Sequence, residues 1–171
     1  MSRHGFTLIE LIIVMALIGI MAGIATPLFN SYMKDERLRE SVRNLKSDME
    51  LAKIRAVRAN ARVAVTFDTA NNRYAIFIDD GAGGGTAGDW VRNGGETEIK
   101  TVDLPDDVDM YEVTFGGAAR VRFRGVGLPN AAGHCYMRNT NDKYIGIVQT
   151  MLGLTRLQES KDSGSTWVDM K

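Results

Sequence analysis

The stretch Gly5-Phe6-Thr7-Leu8-Ile9-Glu10-Leu11 decides how the rest of the chain is read. Glu10 is a lone carboxylate heading a segment otherwise suited to a bilayer. No charged residue occurs from Leu11 to Met33, and Leu11 to Ala25 is apolar without a break. About 20 apolar residues cross the hydrocarbon core of a membrane. An acidic side chain within such a span costs about 2.5 to 3.5 kcal/mol on insertion scales, and it faces a partner rather than lipid. Cleavage between Gly5 and Phe6 would supply one: it exposes an α-amino group, of reference pKa about 7.7 to 8, close before Glu10. That amine and that carboxylate could pair between neighbouring copies of the chain. Two other readings stand beside this one. A secretory signal peptide would use Arg3 as its basic region, Leu11 to Met21 as its apolar region and Gly23-Ile24-Ala25 as its cleavage site. A plain single-span anchor needs only the apolar length. Neither gives Glu10 a role.

With Arg3 in a short leader, a cleavage glycine at Gly5, an aromatic new N-terminus at Phe6 and Glu10 ahead of an apolar run, the segment closely resembles the class III signal of type IV prepilins and type II secretion pseudopilins. The resemblance implies removal of Met1 to Gly5 on the cytoplasmic side and methylation of the Phe6 amine, both by a prepilin peptidase/methyltransferase. It also implies that the helix is retained as an inner-membrane anchor, with the head in the periplasm, and later enters a filament core. Other pilins or pseudopilins, an inner-membrane assembly platform and membrane lipid are the implied partners. Within this family, many major pilins close their C-terminal region with a disulfide loop. Cys135 is the only cysteine here, so no intrachain disulfide can form, which leans towards pseudopilins or minor pilins.

The 171 residues leave room for one soluble domain of ordinary size once the N-terminal segment is set aside. Lys plus Arg equals Asp plus Glu at 21 each, so whole-chain charge argues for neither nucleic acid nor an acidic ligand. From Lys34 onward Leu38, Val42, Leu45, Met49, Ala52 and Ala56 recur at alternating spacings of four and three, which places them on one helical stripe. The other face is charged, with Asp35 and Arg39, and Glu40 and Arg43, spaced to pair. Gly19 and Gly23 form a G-x-x-x-G pair, which permits close helix approach in lipid and is also common in membrane spans generally. Pro27 favours a kink. In the family resembled, the region between such a glycine and proline can lose helicity on packing into a filament.

Beyond Arg62 the period changes to two. Val63 to Phe67 and Arg73 to Ile78 read as a hairpin around Thr69-Ala70-Asn71-Asn72. Further strands are expected at Glu98 to Leu104, Met110 to Phe115, Arg120 to Phe123, Cys135 to Arg138, Tyr144 to Thr150 and Leu154 to Gln158. One long helix followed by short strands indicates an α+β fold, an antiparallel sheet packed on the helix stripe. The expected organisation is a leader over 1–5, a transmembrane or filament-core helix over 6–29, an amphipathic helix over 30–62 and a β-rich head over 63–171. This layout resembles the H-type minor pseudopilins of type II secretion and FimT/FimU-like minor pilins. It implies a non-enzymatic minor pseudopilin or minor pilin that supports protein export or pilus assembly.

The head offers few other signals. The glycine-rich segment from Asp79 to Glu96 lacks the phosphate-loop spacing and reads as flexible, with Trp90 tucked onto its own sheet or presented to a partner subunit. Asp79-Asp80 and the set Asp103, Asp106, Asp107 and Asp109 invite a calcium reading, but neither has EF-hand spacing, so solvated loop charge is the expectation. Arg120, Arg122 and Arg124 alternate along a strand, and three guanidinium groups on one face could follow a phosphate backbone. This carries the alternative function, a DNA-binding minor pilin for DNA uptake. A salt-bridged face is the default, because acidic loops are available to neutralise the stripe and no aromatic residue is interleaved on the basic face for stacking. His134 and Cys135 are sequence neighbours and face opposite ways in a strand, so they form no dyad. One cysteine and one mature histidine supply no zinc site. No metal, cofactor or catalytic group is expected.

Overall fold

The structure, a computed structural model, describes residues 6–170. The expectations for the leader, including Gly5, concern residues outside that range. Helix α1 spans Leu8–Ala59, and the chain divides at Met33 and Lys34 into two compact units.

In the first unit every residue from Phe6 to Tyr32 is exposed. The helix is unbroken through Gly19, Gly23 and Pro27, so the expected kink does not interrupt helical structure in the single chain. Pro27 has no amide to offer the Gly23 carbonyl. One residue earlier, Thr26 Oγ1 donates to the Ala22 carbonyl at 2.8 Å.

In the second unit α1 buries Leu38, Ser41, Val42, Leu45, Asp48, Met49, Ala52 and Ala56. The apolar stripe read from the sequence is all present, with two polar residues added. Ser41 Oγ is satisfied by its own helix, donating to the Arg37 carbonyl at 2.8 Å. The charged-face pairs differ from expectation. Arg39 pairs with Glu36, while Asp35 accepts from Asn139 Nδ2 at 2.8 Å and pairs with Lys143 at 3.2 Å, which ties the helix to a distant hairpin. The helix ends in a left-handed residue, Asn60 at φ 47°. Ala61 N donates to Ala56 O and Asn60 N to Val57 O, a Schellman arrangement with asparagine in the usual glycine position.

The strands are β1 (Val63–Asp68), β2 (Arg73–Ile78), β3 (Glu98–Asp103), β4 (Val108–Phe115), β5 (Arg120–Phe123), β6 (Gly133–Asn139), β7 (Tyr144–Gln149), β8 (Thr155–Ser160) and β9 (Trp167–Asp169). Among the described residues they form two antiparallel sheets, ordered β3-β2-β1-β5 and β4-β6-β7-β8-β9, rather than one. The division between β4 and β5 falls at Gly116 and Gly117. Both have positive φ, which lets the chain reverse from one sheet into the other. The sheets meet where Phe67 of β1 stacks on Phe115 of β4, with ring centroids 5.5 Å apart. Around that contact Val65, Ile76, Val121, Cys135, Met137, Ile145 and Ile147 join the helix stripe in one core. Burial pushes the Cys135 thiol well above its ordinary value. His134 faces the other way and stacks on Tyr136.

One polar contact fixes the helix against the first sheet. Tyr74 Oη, deep in the core, donates to Asp48 Oδ2 at 2.7 Å, and Lys100 Nζ lies 2.8 Å from both carboxylate oxygens. A buried hydroxyl left without its partner costs about 1 to 3 kcal/mol. Asp48→Ala should therefore destabilise the head by about that amount in urea unfolding, and Tyr74→Phe by less, since Lys100 still holds the carboxylate. Asp35 allows a pH test. Burial works to raise its pKa, but hydrogen bonds from Asn141, Asn139 and Lys143 outweigh it and hold the carboxyl below its ordinary value of 3.8. Its stabilisation is present above that value and disappears as pH falls through the lower folded value. The difference in urea midpoint between wild type and Asp35→Asn should be widest near neutrality and shrink below pH 3.8.

Candidate assembly site at the N-terminal helix

Phe6 and Thr7 precede the helix in non-helical conformation, which makes Thr7 the N-cap and Glu10 the third helical residue. Their side chains exchange hydrogen bonds. Glu10 N donates to Thr7 Oγ1 at 3.3 Å, and Glu10 Oε2 accepts from Thr7 N at 2.8 Å and from Thr7 Oγ1 at 2.9 Å. This is a capping box, which satisfies helix amides that have no partner in the preceding turn. The reading of Glu10 as a bare charge missed this local role. Its signal was present in the T-x-x-E spacing directly before an apolar run. The cap occupies Oε2, leaving Oε1 with no hydrogen bond among the described residues. Phe6 beside it is 86% exposed.

From this cap onward the helix presents Leu8, Ile9, Leu11, Ile12, Ile13 and their successors to the surroundings. It is long and apolar enough, by length and composition, to cross a membrane. A Cβ added at Gly19 or Gly23 meets nothing within 4 Å. Their smallness serves no contact among the described residues, and a packing role for them would lie with another helix.

The remaining expected residues sit in the head, where the structure sorts them differently. Arg122 is nearly buried and its Nη2 lies 2.7 Å from Oδ2 of the fully buried Asp79. Trp90, at φ 69°, covers the same arginine, with Arg122 at 3.8 Å and Arg120 at 4.8 Å from the ring centroid. An aromatic residue does lie on the arginine face, brought there by a loop distant in sequence. It spends one ring face on arginines that a nucleic acid would need. Only Arg120 and Arg124 remain exposed.

The loop carrying Trp90 is not the loose segment its glycines suggest. Gly81 N and Asn93 N donate to the two carboxylate oxygens of Glu96, and Gly88 N donates to Asp79. A Cβ on Gly83 would lie 2.6 Å from Gly95 N, and one on Gly94 2.5 Å from Gly85 N. The glycines allow backbone to pack on backbone. The acidic residues are likewise engaged: Asp103 with Arg73, Asp107 with Arg37 and Asp109 with Arg138. Among the described residues no group of three or more His, Cys, Asp or Glu is placed to hold a metal ion.

An apolar helix headed by a glycine cleavage motif, joined in sequence to an α+β head of two antiparallel sheets, defines the pilin and pseudopilin class. Comparison with known proteins agrees. Residues 1–26 match the prokaryotic N-terminal methylation motif, and residues 41–152 match the family model for the Type II transport protein GspH. The chain belongs to the GspH family. It is similar to the pilin-like protein PilA1 of Thermus thermophilus, 32% identical over 83 residues, which are 48% of this chain and 52% of that protein. The chain thus spans about half the length of that relative. A fimbrial protein of Pseudomonas aeruginosa is 27% identical over 124 residues, 72% of this chain and 75% of that one. In fold it is similar to the minor pseudopilin EpsH from the Type 2 Secretion System of Vibrio cholerae, with a TM-score of 0.55 at 13% identity, over 74% of this chain and 99% of that one.

If Trp90 and Asp79 hold the glycine-rich loop down, Asp79→Asn combined with Trp90→Ala should open it. Amide exchange over residues 85–95 should then accelerate at least tenfold while the strands remain protected. Unchanged exchange would show that the backbone packing alone suffices.

Proposed function

We propose that the chain is a minor pseudopilin or minor pilin subunit that assembles into a type II secretion pseudopilus or a type IV pilus and so supports protein export or pilus assembly. The observation that carries the reading is the helix face from Phe6 to Tyr32, which nothing in its own compact unit covers. Lipid covers it first and like helices later. The head stands in the periplasm while residues 6–29 cross the inner membrane, the helix continues as its amphipathic part from residue 30 to Ala59, short of the expected 62, and residues 63–171 form the β-rich head. A prepilin peptidase/methyltransferase removes residues 1–5 and methylates Phe6, and an inner-membrane platform moves the subunit into the filament. Subunits of this class are structural parts and not enzymes.

In the filament, Glu10 serves two partners. Its Oε2 holds the cap of its own helix through Thr7, and its Oε1 pairs with the Phe6 amine of a neighbour. Gly19 and Gly23 admit close approach of that neighbour, and the stretch to Pro27 is where the helix yields if packing requires it. The DNA-uptake reading has less support, because Arg122 is committed to Asp79 and Trp90.

The two roles of Glu10 separate by substitution. A Gln side chain still accepts from the Thr7 amide but carries no charge. Glu10→Gln should remain processed and membrane-bound yet fall at least tenfold in sheared filament or pseudopilus fractions, while Thr7→Val, which keeps the charge, should assemble far better. Normal incorporation of Glu10→Gln would remove the charge pairing from the mechanism. The head arginines have their own test: the full chain in detergent should show no salt-dependent retention of a DNA duplex that is lost on neutralising Arg120 and Arg124.

A further inference from the structure

A sheet that ends in solvent leaves a row of backbone donors and acceptors along its outer strand. The two sheets of the head end in β3, β5, β4 and β9, and the last three are closed or short. Along β5, Arg122 O accepts from Asn130 N at 2.9 Å and Arg122 N donates to Asn130 Oδ1 at 2.7 Å. On β4, Met110 N donates to Asn72 Oδ1 at 3.1 Å and Phe115 N to the Ala118 carbonyl at 2.8 Å. Strand β9 has only 3 residues. Strand β3 is different. Leu104 N donates to Asn72 O, and Val102 and Lys100 stand opposite Tyr74 and Ile76 of β2. Backbone groups alternate between the two sides of an antiparallel strand, so the amides and carbonyls of Thr101 and Asp103 point away from β2. Among the described residues no hydrogen bond closes them, and both residues are exposed. The register irregularity at Ile76 and Phe77 lies before this stretch and leaves residues 100–103 regular.

The open edge runs beside a groove. Glu40, Ser41 and Asn44 of α1 face Val102, Leu104 and Pro105 across about 190 Å3. Val102 and Ile99 pack against the core and stay partly exposed. The cations around the groove are already engaged: Lys100 with Asp48, Arg37 with Asp107 and Arg73 with Asp103. Glu40 and Asp106 are exposed, and among the described residues neither has an ionic partner. The open charge at this site is therefore negative.

We propose that β3 and the groove beside it form a docking site for an extended basic segment of another protein, which adds as a further strand to the first sheet. Open amides and carbonyls in alternation are complemented by a second extended backbone. Side chains of such a strand alternate between faces, so every second one lies on the α1 side. There an apolar side chain meets Val102, and a lysine or arginine reaches Glu40 or Asp106. Nucleic acid and anionic lipid are disfavoured, because their phosphates would meet open carboxylates. The open edge is short, which suits a weak and transient contact. This inference concerns the head alone and goes beyond the assembly reading.

The test uses the full chain in an uncharged detergent and, as probe, a capped hexapeptide of alternating lysine and valine. Saturable binding is expected, with amide exchange at Thr101 and Asp103 slowed at least tenfold on saturation. Methylating every peptide amide keeps the charge and removes the donors, and should weaken binding at least tenfold. Thr101→Pro should do the same, since the amide it removes points away from β2 and the ladder stays intact. If amide exchange shows that this variant has lost its strands, Glu40→Lys with Asp106→Lys carries the test from exposed positions, and binding should fall at least fivefold. Equal binding of the methylated peptide would reduce the contact to charge attraction and overturn the proposal. Equal binding of a glutamate and valine peptide would overturn the basic occupant, and protection at another strand would overturn the site. Absence of binding would overturn the proposal and leave incorporation into filaments, measured separately, unaffected.

Discussion

An apolar helix cannot be left in water, and this chain carries one that its own unit does nothing to cover. From Phe6 to Tyr32 no residue is buried. At about 25 cal/mol for each Å2 of apolar surface, side chains such as Leu11, Ile12, Leu17 and Ile20 make an unlined existence in water untenable. Lipid or other helices must supply the cover, and the difference between those two environments is what assembly exploits. In lipid there is no hydrophobic drive for helices to meet, so small residues and polar pairs decide the contact. Gly19, Gly23 and Glu10 are among the residues of those kinds that the span offers, with Ala16, Ala22, Ala25 and Thr26.

The capping box changes the account of Glu10 without removing the role proposed for it in assembly. Thr7 absorbs one carboxylate oxygen and thereby fixes where the other one points. A charge held by its own helix terminus also sits favourably against the helix dipole, which lowers the cost of carrying it before any neighbour arrives. The head follows a similar logic. Asp48 interrupts an otherwise apolar stripe, and it is tolerated because Tyr74 and Lys100 satisfy it from the adjoining sheet. Apolar packing alone sets neither the height nor the rotation of the helix on that sheet so narrowly.

Much of this was legible in the sequence, for physical reasons that differ by element. The stripe from Leu38 to Ala56 was readable because a buried helix face imposes a period that few other structures share. Strands β1, β2 and β5 were readable from alternation almost to the residue, with boundaries shifting by one or two residues elsewhere. The split into two sheets was not, since alternation reports which face is buried and not which strand lies alongside; Gly116 and Gly117 decide it by conformation. The short strand β9 at Trp167 carries too few residues to show a period. Glycine content misled in the segment from Asp79 to Glu96. There glycine serves close backbone contact rather than freedom, and nothing local announces that Gly83 will meet Gly95. The partners of Arg122 were equally hidden: Asp79 and Trp90 reach it only through the fold. At the N-terminus, by contrast, the cap that Glu10 makes and the assembly role proposed for it are both written within a few residues.

The central claim is that this helix is kept, headed by a free and modified Phe6, so that it can pass from lipid into a filament. Intact-mass analysis of the mature protein extracted from membranes tests it most directly. The account predicts a chain beginning at Phe6 and carrying one methyl group on its amine; a chain beginning at Thr26, or one still bearing Met1 to Gly5 in assembled material, would contradict it.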